Sequence, residues 1–266
     1  MVITSATCTA SAKQTHYSPF KVAETFGALG ALFPNRIDLG IGRAPSGSSL
    51  SSTALASPGH PEHHDHFPRQ AAELCAFLRD GFPSDHPLAH LKCLPASNAL
   101  PSLWMFGSSG GSAGLACELG MGLALARFIA PHSCSPTIFD HHAQALLQSG
   151  RNTPPARLLA LAVICAETDQ EARHIAGTAA YRKMMTSRGS REALLPPEIV
   201  AKRVTAMNAS DRELFNASLD DMVVGSPGRC RREIKELAAQ FGCEEIGIVT
   251  VTYSFKDRLR SYQLLA

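Results

Sequence analysis

Two short stretches of the chain carry residue types able to grip an anion. The first, FPNRIDLGIGRAPSG at 33–47, ends an alternating run at Gly40, Gly42 and Arg43. The second, FGSSGGSAG at 106–114, sets Gly107, Ser108, Ser109, Gly110, Gly111 and Ser112 ahead of an apolar helical pattern. Glycine lets a backbone approach a ligand closely, serine donates a hydroxyl, and a helix N-terminus offers free N–H groups and a positive dipole. Arginine adds a forked cation that suits phosphate. The bland reading is a Gly/Ser turn beside a surface arginine paired with a carboxylate, and residue types alone leave both readings open. No lysine follows the glycines as in a Walker A loop, and the spacing is not that of G-x-G-x-x-G.

Other clusters promise less. In HPEHHDHF, His60, His63, His64, Asp65 and His66 are types that suit zinc, but the setting is a loop without helical i, i+4 pairing or H-E-x-x-H, so a solvated loop is expected and no metal. Asp140, His141 and His142 fall on a helix whose polar face is expected to carry them outward. Glu244 and Glu245 precede a strand and are expected to face solvent. The chain has no G-x-S-x-G elbow and no cysteine with a base beside it, so nothing points to hydrolysis.

Composition narrows the classes further. The 266 residues are 45% hydrophobic and 18% charged, with a formal net charge of +2, enough apolar material for a full core. Lys and Arg are scattered, and no apolar run reaches the ~18–20 residues that span a bilayer, so neither nucleic acid nor membrane is an expected partner. The eight cysteines form no C-x-x-C pair, which fits a reducing cytoplasm. Residues 1–15 lack the arginines or apolar block of a targeting peptide and read as a disordered N-terminal segment.

The elements that must position the anion-gripping loops read as an α/β alternation. Residues 19–33 space Val22, Phe26, Leu29 and Phe33 helically behind Pro19, and 36–41 read as a strand. A long Ser/Pro/Gly-rich loop near 46–66 leads to a helix over 67–78. Strands follow at 102–106, 122–129, 157–166 and 245–252, with helices between them, one capped by Thr168 and another started by Ser226-Pro227 and stopped by Gly242. Residues 187–222 read as an insertion with mixed helical signals. Apolar strands alternating with helices imply a parallel sheet, but five strands do not separate an open doubly wound sheet from a barrel.

Four blocks in order, KVAETFGALGALFPNRIDLGIGRAPSG, PSLWMFGSSGGSAGLACELGMGLALA, VVGSP and DRLRSYQLLA, resemble the bacterial luciferase-like flavin monooxygenases, in particular the YhbW-like subgroup, from about His16 to Ala266. The resemblance implies a (β/α)8 TIM barrel forming one domain over 16–266, with insertions near 46–66 and 187–222. It implies reduced FMN, or the deazaflavin F420 in some branches, acting with O2 on a small organic substrate, and a separate NAD(P)H:flavin reductase as supplier. A homodimer is the assembly it suggests. Arg43, Ser109 and Ser112 would contact the flavin phosphate, with Gly42, Gly107, Ser108 and Gly110 shaping the approach. The three strand–helix units that precede HYSPFKVAE in the family have no evident counterpart, so the expectation is a barrel lacking about three N-terminal units. A non-catalytic barrel fragment is the competing reading. Arg127 stands where relatives commonly place a histidine.

Overall fold

Proline in the first turn begins four of the described helices, and the side chains of Thr168, Asn208 and Ser254 cap three others. The computed structural model describes residues 8–12, 17–43, 66–95, 99–108, 110–150, 156–190 and 192–266. They fall into two units, residues 4–125 with 137–157, and residues 126–136 with 158–266.

The first unit alternates β1 (Cys8–Ala12), α1 (Pro19–Leu32), β2 (Ile37–Gly42), α2 (Phe67–Arg79), β3 (Ser102–Gly107), α3 (Gly111–Glu118), β4 (Gly122–Ala126) and α4 (Thr137–Gln148). The four strands pair in chain order and all in parallel, as helical crossovers demand. Cys8–Ala12 lie within the segment expected to be unstructured. The sequence CTASA has no apolar alternation to announce a strand, and its pairing with Ile37–Ile41 supplies the order instead.

Register sorts the side chains of β2, β3 and β4 onto two faces. One face carries Leu39, Ile41, Met105, Leu123 and Leu125, all completely buried. At roughly 1.5–3 kcal/mol for each large aliphatic removed from water, this face holds the unit together. The other carries Asp38, Gly40 and Gly42 on β2, Trp104 and Phe106 on β3, and Gly122 and Ala124 on β4. Here two rings lie beside three glycines and an alanine. Helix α1 buries Val22, Ala23 and Phe26, and its Gly30 approaches the backbone so closely that an added Cβ would stand 2.3 Å from the Ala99 carbonyl oxygen.

The second unit holds β5 (Arg157–Cys165), α5 (Asp169–Ser187), α6 (Pro197–Thr205), α7 (Ala209–Asp220), β6 (Val223–Gly225), α8 (Pro227–Gln240), β7 (Glu245–Val249) and α9 (Phe255–Leu265). Its long strand β5 pairs in parallel with β7 through Leu158–Ala162 and with β6 through Val163–Cys165. The Thr168 hydroxyl caps α5 by accepting from the Glu171 N–H at 3.2 Å, and Gly242 leaves α8 with a positive φ of 56°. Residues 187–222 resolve into α6 and α7, whose Val200, Phe215 and Leu219 share a core with Ala176, Ala180, Tyr181 and Met184 of α5. The 122–129 strand is shorter than its apolar run: it ends at Ala126, and a turn closed by the Ile129 N–H on the Ala126 carbonyl follows. No described helix is long and apolar enough to cross a membrane.

Candidate functional site

Strands β2 and β3 are adjacent and parallel, with Gly42 opposite Phe106. One step further along each strand, Arg43 and Gly107 therefore leave the same sheet edge, about 4.8 Å being the usual strand separation. Arg43 is exposed, and its guanidinium lies 5.7 Å from the centroid of the Phe67 ring. Phe67 is the first residue of α2 and only 2% exposed, so the ring is a fixed support for a mobile type of side chain.

Gly110 is the N-cap of α3, and Gly111 and Ser112 form its first turn. Gly110 makes no side-chain cap hydrogen bond at that end, and the first turn holds no acidic residue. Gly110 and Gly111 are exposed, and a Cβ added at either would meet nothing within 4 Å. Open space over uncapped N–H groups, with Ser112 beside them and Arg43 on the neighbouring strand end, suits an anion with several oxygen acceptors. Ser108 is half-buried at the β3 exit. Ser109 lies outside the described residues, as do His60, His63, His64, Asp65 and the 46–65 loop. Among the described residues no group of three or more His, Cys, Asp or Glu side chains is placed to hold a metal.

A contact absent from the sequence reading sets the pose of α3. Arg79, the last residue of α2, donates to the carbonyl oxygens of Leu119 at 2.7 Å and Gly120 at 3.3 Å, where α3 ends. A cation on carbonyls at a helix C-terminus complements the negative end of the helix. The same helix α2 thus supports Arg43 at its start and α3 at its end.

The second unit has its own helix start after a strand, at Ser226-Pro227, where the chain presents its own carboxylate. Asp169 accepts from the Ser226 N–H at 2.6 Å and faces Arg229 at 3.5 Å. The Ser226 N–H, followed by Arg229, holds the Asp169 carboxyl below the usual carboxylate range.

His142 corrects the sequence reading. Asp140 and His141 are exposed as expected, but His142 is 0% exposed, on the stripe with Ile138, Phe139 and Leu146. That i, i+4 spacing in the sequence was the signal for an inward residue. Among the described residues neither ring nitrogen finds a hydrogen-bond partner of good geometry, although the Met121 backbone faces the ring. Burial foremost, and the Arg157 cation after it, push the imidazole pKa below its ordinary value. Glu244 and Glu245 are exposed as expected.

Comparison with known proteins gives a consistent result. Residues 6–245 match the pattern of the family described as luciferase-like monooxygenase. The chain is 34% identical over 250 residues to the uncharacterized protein YceB of Bacillus subtilis, covering 94% of this chain and 74% of that one. It is 30% identical to the N-acetyl-S-alkylcysteine monooxygenase of the same organism, again over 94% of this chain and 74% of that one. Among solved structures it superposes on apo-MsnO8 with a TM-score of 0.80 and 33% identity, covering 97% of this chain and 76% of that one. Two more distant structures share the fold. The oxygenating constituent of 3,6-diketocamphane monooxygenase from Pseudomonas putida, solved with FMN, has a TM-score of 0.61 at 16% identity, covering 96% of this chain and 75% of that one. An F420-dependent secondary alcohol dehydrogenase has 0.58 at 12%, covering 94% and 74%. The α/β fold with parallel strands is therefore the one found in luciferase-like TIM-barrel proteins.

Proposed function

This chain belongs to the luciferase-like monooxygenase family, and from that premise we propose that it is a monooxygenase that binds reduced FMN and transfers oxygen from O2 to a small organic substrate. The observation that carries the reading is the convergence of Gly42 and Arg43 with Gly107, Ser108, Gly110 and Ser112 at one edge of the first unit's sheet. Bound reduced FMN would supply the two electrons with which O2 is split, one oxygen atom going to the substrate and the other to water. The protein's own tasks are binding, orientation and exclusion of water.

Arg43 would meet the phosphate dianion with a charge-assisted fork, held in place by the Phe67 ring. Ser112 and the uncapped N–H groups at Gly110 and Gly111 would donate to the remaining oxygens, with Ser109 as a further donor. Gly42 permits close approach at the strand end, where Phe106 already crowds it: an added Cβ would stand 3.3 Å from the Phe106 Cβ. A protein nucleophile is not required by this chemistry. A separate NAD(P)H:flavin reductase would deliver the cofactor, a homodimer is the proposed assembly, and the cytoplasm is the proposed compartment.

The test is a fluorescence-quenching titration of the purified chain with FMN and, in parallel, with F420. Saturable FMN binding that weakens in Arg43→Ala and Ser109→Ala supports the reading. Preference for F420 would make the chain a deazaflavin oxidoreductase, and binding of neither by a folded chain would make it a non-catalytic member. One relative is named for its action on N-acetyl-S-alkylcysteine, so substrate screening begins with thioethers of that kind.

A further inference from the structure

On the glycine-bearing face of β2, β3 and β4, the two rings of β3 sit in recesses that only glycine can provide. A Cβ added at Gly40 would stand 2.1 Å from Cζ and 2.5 Å from Cε2 of Phe106, and one added at Gly122 would stand 2.7 Å from Cε3 of Trp104. Real Cβ atoms do not approach carbon so closely, so each ring occupies the volume its neighbour lacks. Gly40 pairs with Trp104 and Gly42 with Phe106, so the Phe106 ring leans back along the strand by two residues. It lies beneath the sheet edge where Arg43 and Gly107 emerge. Trp104 is buried at 7% exposure, whereas Phe106 is only half-buried, with Gly42 above it and Ala124 beside it on β4.

We propose that Phe106 is the floor of the ligand site: seated in the Gly40 recess, it sets how deeply the apolar part of a substrate can enter below the anion-binding edge. The inference rests on the proposed site at that edge. Two residues of strand span roughly 6–7 Å, so a site ending on the ring is shallow compared with one that reaches the level of Gly40. Phe106 is a specificity-determining residue in this reading and takes no part in proton or electron transfer. Alanine at 106 empties a volume of about three methylene groups. Each methylene newly removed from water strengthens binding about fourfold.

The test uses straight-chain primary alkanols as a molecular ruler, titrated calorimetrically into the full chain with and without FMN. In the parent, affinity is expected to rise with chain length and then level off. In Phe106→Ala the levelling is expected about three carbons later, and in Phe106→Leu by a smaller increment. Gly40→Ala forces the ring out of its recess and is expected to bring the limit to shorter chains, while Gly40→Ala/Phe106→Ala returns the long limit. A length limit that is the same in parent and Phe106→Ala, or absence of alkanol binding to either, overturns the proposal. A limit that moves in a chain that fails to bind FMN would leave the floor standing and remove the flavin reading, so the two fail separately. Thermal melts of all four variants separate a moved limit from loss of fold.

Discussion

Replacing His142 with leucine is expected to stabilise the chain, and to do so more at acid pH than at alkaline. The imidazole is fully buried, with the Met121 backbone and the Arg157 cation acting on it, and among the described residues it has no hydrogen bond of good geometry. A buried polar group left in that state costs about 1–3 kcal/mol, and a swap to an apolar side chain of similar volume costs less than about 1.5 kcal/mol. The net expectation is a gain of about 1 kcal/mol near pH 8, or about 2–4 °C in melting temperature for a chain of this size. The pH dependence follows from the lowered pKa. The unfolded chain takes up a proton near the ordinary value of 6.5, while the folded ring resists it. Parental stability is therefore complete above pH ~6.5 and falls as pH drops below it, by at most about 1.4 kcal/mol per pH unit, until the folded ring also protonates. Leucine has no such loss, so the gap between variant and parent widens on acidification. Circular-dichroism melts at about pH 8, 6.5 and 5 measure both effects. A leucine variant that melts below the parent at every pH, by an unchanging margin, would mean that the ring is satisfied in the fold and would refute the reasoning.

Arg43→Ala is expected to weaken FMN binding about 10- to 100-fold, the usual consequence of losing a charge-assisted contact, and Arg43→Lys to recover part of it; equal affinities in a quenching titration would exclude this edge as the phosphate site. Arg79→Ala, which touches no proposed ligand contact, is expected to lower FMN affinity several-fold by freeing the end of α3, with retention of parental affinity arguing against a positioning role. The Asp169 carboxyl is held below its ordinary 3.8 by the Ser226 N–H and Arg229. Its contribution is thus present above that pH and lost as pH falls through the folded value, so Asp169→Asn should melt lower at neutral pH, with a gap that closes on strong acidification. Burial pushes the Cys230 thiol up to about 12 and raises Cys165 as well. Native-state labelling near pH ~8 followed by peptide mass mapping should therefore leave both unmodified, and rapid labelling at either would show that β5 and α8 open readily.

The sequence made the locally encoded features legible. Pro19 does begin α1, Thr168 does cap α5, and Gly242 does end α8, because each works through backbone groups only a few residues away. Features that depend on a partner distant in sequence were not legible. β1 has no pattern of its own and exists through its ladder with β2, and β6 is three residues paired to the end of β5. Ser226 is the N-cap of α8 as its type suggests, yet its side chain makes no cap hydrogen bond and its own N–H is met by Asp169, 57 residues away. At the candidate site the glycines, the serines and Arg43 could be picked out by type. The Phe67 support, the Arg79 tether and the fit of Phe106 into Gly40 arise only once register and helix placement are fixed.

The contact between Arg43 and Phe67 also closes a circuit in the chain. A residue at the end of β2 and one at the start of α2, 24 positions apart, are held together with a guanidinium 5.7 Å from a ring centroid. Where the two ends of a segment are clasped, the entropic cost of lengthening it grows only logarithmically, by roughly 0.6 kcal/mol for each doubling. Closure entropy by itself accordingly sets little limit on how many residues separate Arg43 from Phe67. The clasp thus ties the place of a cation to a buried ring rather than to the length of chain that lies between them.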